Sequence, residues 1–86
     1  SGEPPEAGET VETSVWKKPV KVLTSINLHG HHFIAFLTGR EPEGLDTLRD
    51  WSRPVLRSTP DRGVSATERL NLPHLCVGLT VGRELR

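Results

Sequence analysis

Two apolar runs separated by four residues, Val20 to Leu28 and Phe33 to Leu37, constrain this chain more than any other feature. In the first, Val20, Val22, Ile26 and Leu28 share one parity and Lys21, Ser25 and Asn27 the other, the period of two that a half-buried strand requires. The linking residues His29-Gly30-His31-His32 hold a glycine able to take a positive φ, so the runs are predicted to fold back as a hairpin. With Gly30 and His31 as the turn, Leu28 would face Phe33, Ile26 would face Ala35 and Thr24 would face Leu37. That register makes one hairpin face consistently apolar.

An apolar sheet face needs a cover, and the next segment offers one. Residues 39–44, GREPEG, are turn chemistry, and Pro42 between Glu41 and Glu43 suits a first helical turn. Leu45, Leu48, Trp51 and Val55 follow at spacings of three, three and four, a stripe predicted to pack on the hairpin. Asp46, Arg49, Asp50 and Arg53 occupy the remaining faces. Pro54 disfavours helical backbone at Arg53, where the helix is predicted to end or kink. After a turn at residues 59–63, residues 64–73 read two ways. Ser65-Ala66-Thr67-Glu68 fits a capping box, whereas Arg69 to Leu72 alternates like a strand. His74 to Val81 alternates clearly, with Leu75, Val77, Leu79 and Val81 on one face, and predicts a terminal strand. The fold class is α+β, a small single domain with a β-hairpin followed by one amphipathic helix and one or two further strands.

Composition limits what such a domain can be. A chain of 86 residues with 34% hydrophobic and 5% aromatic residues has a thin core, built mainly from Leu, Val and Ile. Residues 1–14 carry Glu3, Glu6, Glu9 and Glu12 and no base, and read as a disordered acidic linker or tail, leaving 15–86 as the folded domain. All eleven Lys and Arg follow residue 14 with no clustered basic face, which argues against nucleic acid as a partner. No apolar run approaches the ~20 residues that cross a bilayer, and Cys76, the single cysteine, has no internal disulfide partner. An intracellular setting, cytoplasmic or nuclear, is therefore expected. The lack of any methionine suggests a domain taken from a longer protein.

The histidines and the cysteine gather near predicted strand ends. In the hairpin register given above, His29 and His32 form a cross-strand pair, and His74 and Cys76 lie two apart on one strand, so these four side chains are the candidate ligands of a structural zinc. The spacing matches no standard finger pattern, and the leading expectation is that no cofactor is bound. Asn71-Leu72-Pro73-His74-Leu75-Cys76, with His31-His32 before it, resembles the Asn-Leu-x-x-Leu-Cys segment and paired histidines of HNH nucleases. That resemblance implies His32 as a general base, Asn71 as its orienting partner and a divalent metal, although Leu79 and Thr80 stand where the family has further metal ligands.

No nucleophile elbow or phosphate-binding glycine loop is present, so no catalytic residue is assigned. The expectation is a non-enzymatic binding module that docks another protein, or the rest of the parent chain. Its partner-binding candidates are Trp16, beside Lys17 and Lys18, and the helix residues Arg49, Arg53 and Arg57.

Overall fold

A computed structural model describes residues 2–13, 16–59, 68–70 and 74–86. Among them the elements run β1 (Thr10–Val11), β2 (Val20–Leu28), β3 (His31–Leu37), α1 (Leu45–Ser58), β4 (Glu68–Arg69), β5 (Leu75–Val81) and β6 (Glu84–Leu85). The six strands form one antiparallel sheet in the order β1-β2-β3-β5-β4, and β6 pairs with the remaining length of β5. With α1 laid mainly on β2, the architecture is α+β. Of the ambiguous segment 64–73, Glu68–Arg69 is strand, and Ser65 to Thr67 and Asn71 to Pro73 lie outside the described residues.

The central hairpin forms, with a register two residues away from the expected one. His29 and Gly30 make the turn, at φ 53 and 80, because a two-residue loop of this hand requires positive φ at both central positions. Histidine tolerates that conformation better than most side chains, and glycine supplies the second position. Leu28 therefore faces His31, Ile26 faces Phe33 and Thr24 faces Ala35, rather than Phe33, Ala35 and Leu37. A slip of two leaves every side chain on its expected sheet face.

A second departure changes the faces themselves. The ladder breaks between Val22 and Thr24, where Leu23 is the extra residue of a β-bulge. Before the bulge, Val20 and Val22 join Val11, Ile34, Phe36, Cys76 and Leu85 on one side of the sheet. After it, Ile26 and Leu28 join Leu23, Phe33, Ala35, Leu37, Leu56, Leu75 and Val77 on the other. The expected single apolar face of Val20, Val22, Ile26 and Leu28 is thus two half-faces. β3 is buried on both, which explains its unbroken apolar sequence from Phe33 to Leu37.

The helix sits on the second face, turned from the expected orientation and longer than expected. Its inward line is Leu45, Leu48, Ser52, Val55, Leu56 and Thr59, with Ser52, Leu56 and Thr59 fully buried, while Trp51 keeps 45% of its surface in solvent. Bonded hydroxyls let Thr24, Ser52 and Thr59 serve as core residues here. Thr24 Oγ1 and Ser52 Oγ lie 2.7 Å apart, Ser52 Oγ donates to the Arg49 carbonyl at 2.7 Å, and Thr59 Oγ1 donates to the Val55 carbonyl at 3.0 Å. The helix begins at Leu45 behind Gly44 in left-handed conformation, so Pro42 lies before it. It also runs through Pro54 to Ser58 instead of ending at Arg53. The carbonyl that Pro54 leaves without an amide is that of Asp50, and both residues are exposed, so water can serve it.

Residues 1–14 were expected to be disordered, yet the part of them that is described folds against the sheet. Thr10–Val11 pair with Lys21 and Val20, Pro5 and Val11 are buried, and the segment before them crosses the face opposite the helix. His32 Nε2 bonds the Pro5 carbonyl at 2.8 Å, and Arg83 donates to the Glu3 carbonyl at 3.2 Å and to Glu9 Oε1 at 3.3 Å. The four glutamates mask one deeply buried valine and a proline, which is why composition misled here.

The bulge leaves the Leu23 carbonyl outside the ladder, and Arg49 Nε donates to it at 3.0 Å while Nη1 holds Asp46 at 3.0 Å. Arg49→Ala is expected to lower stability by about 1–3 kcal/mol, several degrees in Tm for a domain of this size. Arg53→Ala, on an exposed position of the same helix, is expected to stay within about 0.5 kcal/mol. Thermal melts of the two variants measure the difference.

Candidate functional site

The four candidate metal ligands do not meet. His29 occupies the hairpin turn, exposed, and is no longer cross-strand from His32, which pairs with Asn27. His32 also pairs with Thr80 on β5, whereas Cys76 pairs with Phe36 at the far end of β3. Four residue steps from Thr80 to Cys76 correspond to about 13 Å, and six steps to His74 to about 20 Å. A zinc ion holds ligands at ~2.0–2.3 Å. Among the described residues, no three His, Cys, Asp or Glu side chains converge on a common point. The antiparallel ladder places His29 and His32 at one end of the sheet and His74 at the other.

Each of these side chains has a local role instead. His74 precedes β5 at φ 64, its carbonyl accepting the Thr38 amide at 2.8 Å, and its ring lies so close to Gly39 that a Cβ there would come within 2.8 Å of it. Cys76, 1% exposed, fills the face opposite the helix, and burial pushes its thiol pKa up against a smaller opposing pull from Arg69. His32 is tied to Pro5 through Nε2, and Nδ1 is a buried atom with no hydrogen-bond partner among the described residues. The tautomer with hydrogen on Nε2 accounts for the bond to a carbonyl. Of the nuclease-like segment, Asn71 lies outside the described residues, and His31-His32 open a strand.

The partner-binding candidates divide in two. Trp16 packs edge-on against Phe36, ring centroids 6.4 Å apart at 71°, with its indole nitrogen buried, so it closes the core beneath the N-terminal segment. Arg49 serves the bulge. Arg53 and Arg57 are exposed on the helix, one turn apart. The residue sequence reasoning placed wrongly is Trp51. It lies on the flank of α1 opposite Arg53 and Arg57, beside half-buried Leu48 and Val55, and is one of two large apolar side chains exposed among the described residues. A three-four-three-four spacing through Leu45, Leu48, Ser52, Val55 and Thr59 would have put it outside, had small hydroxyl side chains been admitted to the core.

Comparison of the chain with protein-family models, with curated proteins and with solved structures finds no match. Among the described residues, no helix is long and apolar enough to cross a membrane.

The N-terminal segment carries the clearest electrostatic device. The Glu6 amide holds the Glu9 carboxyl below the usual carboxylate range against the opposing effect of burial, and the Arg83 guanidinium adds to the lowering. A depressed carboxyl contributes stability in full above its ordinary value of 4.5 and loses it as pH falls through the lower folded value. Acidification through that window is therefore expected to loosen residues 3–9 before the sheet unfolds. Amide spectra of Gly8 and Val22 followed against pH would show it, and Glu9→Gln is expected to remove that transition.

Proposed function

We propose that this chain is a non-enzymatic interaction module that binds another protein, or another part of its own parent chain, through the outer side of α1. The exposure of Trp51 carries this reading. Tryptophan left half in water beside Leu48 and Val55 is a rigid apolar anchor suited to a partner pocket. Arg53 and Arg57 lie across the helix crest, a distance of only about 10–12 Å. An interface of ordinary size, ~800 Å² on each side, spans both flanks. The partner that fits is a protein surface with an apolar pocket for Trp51 and carboxylates placed to meet the two arginines. A buried lone cysteine with no disulfide suits an intracellular site of action.

The test uses the whole chain as bait, in wild-type, Trp51→Ala and Arg53→Glu/Arg57→Glu forms, with retained proteins purified and their affinities measured. Trp51→Ala is expected to weaken binding by roughly 30-fold or more, and the charge reversal by less and in a salt-dependent way, with Tm nearly unchanged in both. Undiminished affinity of Trp51→Ala for every retained protein removes α1 from the interface.

A further inference from the structure

The outer edge of β2 is covered at one end only. β1 pairs with Lys21 and Val20, and the Val22 carbonyl and amide are taken by Gly8 and Glu9, at 2.9 and 2.8 Å. Beyond the bulge no strand follows on that side among the described residues. In a two-residue hairpin the residues flanking the turn form a hydrogen-bonded pair, so Leu28, Ile26 and Thr24 direct their backbone groups to β3. Ser25 and Asn27 direct theirs outward, and among the described residues no backbone group answers them.

The N-terminal segment leaves the edge open for two physical reasons. A β-turn from Glu6 to Glu9, closed by the Glu9 amide on the Glu6 carbonyl at 3.1 Å, swings the chain off the edge with Gly8 at φ 90. Pro4-Pro5 then brings no N–H that could join a ladder. Between this segment and the edge lies a cleft of about 420 Å³, lined by Glu3, Pro4, Glu6, Ser25, Ile26, Asn27 and His32.

We infer that the Ser25–Leu28 edge of β2 is a strand-addition site for an extended segment of another protein that carries basic side chains at alternate positions. The four outward backbone groups of Ser25 and Asn27, on a four-residue edge about 13 Å long, match an extended peptide of four or five residues. On the face of Ser25 and Asn27 the docked segment meets Glu3 and Glu6, and every second side chain points there, so lysine or arginine at that spacing is complementary. On the other face its remaining side chains lie beside half-buried Ile26 and Leu28, which suits small apolar residues. A second copy of this chain is the poorer occupant. Two-fold pairing of the edges would set the Glu3 and Glu6 carboxylates of one copy against those of the other. The site is separate from the Trp51 flank of α1.

The probe is the acetylated, amidated peptide Val-Lys-Val-Lys-Val, titrated into the whole chain with amide spectra and hydrogen exchange as readouts. Binding is expected to shift the Ser25 and Asn27 amides and slow their exchange about tenfold or more at saturation. The same effect is expected in Trp51→Ala, and none with the peptide carrying glutamate for lysine or with its backbone amides N-methylated. Glu3→Gln/Glu6→Gln is expected to weaken binding severalfold and to make it less sensitive to salt. Absence of binding at millimolar peptide, shifts confined to α1, equal binding of the glutamate peptide, or concentration-dependent protection of Ser25 and Asn27 without peptide would each overturn the inference. The last of these would assign the edge to self-association.

Discussion

The bulge at Leu23 sets the arrangement of everything around it. A regular β2 would keep Val20, Val22, Ile26 and Leu28 on one face and leave the opposite side of the sheet polar at this strand. One inserted residue instead hands Val20 and Val22 to the side of β1, Trp16 and Leu85, and gives Leu23 and Thr24 to the helix. A chain of 86 residues with few aromatics thereby covers both sides of a sheet, on one side with a helix and on the other with its own N-terminal segment. The carbonyl stranded by the bulge fixes the helix in turn, since Arg49 must lie over β2 to reach it.

That geometry explains why small polar residues matter more here than their size suggests. Thr24, Ser52 and Thr59 are buried, and their hydroxyls are bonded to one another or to helix carbonyls. A core this thin gains specificity from such bonds because each leaves no polar atom stranded and each demands one rotation of the helix. The rotation they select turns Trp51 outward. On the far side, Arg83 reaches back to Glu3 and Glu9 and holds the N-terminal segment across β3, so the last turn of the chain secures its first residues.

The strongly periodic parts of this fold were legible in the sequence. The β2–β3 hairpin, a helix after residue 44 and the strand over residues 75–81 all follow from alternation, glycine placement and three-to-four spacing. Three kinds of feature were not legible. Two-residue strands such as β1, β4 and β6 carry no periodicity and form only because a neighbour offers an edge. The bulge is invisible because Leu23 interrupts the alternation with another apolar residue, which a pattern reading absorbs without noticing. The helix face was misread because a tryptophan outweighs a serine on any hydrophobic count, although the serine's hydroxyl had a partner waiting in Thr24. Of the candidate site residues, Arg53 and Arg57 could be placed on the surface from sequence. Trp16, Arg49 and the histidines could not, since their positions depend on contacts between segments distant in the chain.

The face switch at Leu23 is tested most directly by side-chain proton contacts in solution. Nuclear Overhauser spectra are expected to connect Thr24 with Ser52 and the Leu23 methyls with the cluster of Leu56, while the Val22 methyls connect with that of Val11 and Phe36. Val22 methyls in contact with Leu56, together with Leu23 facing Phe36, would mean a regular β2 and would contradict the account.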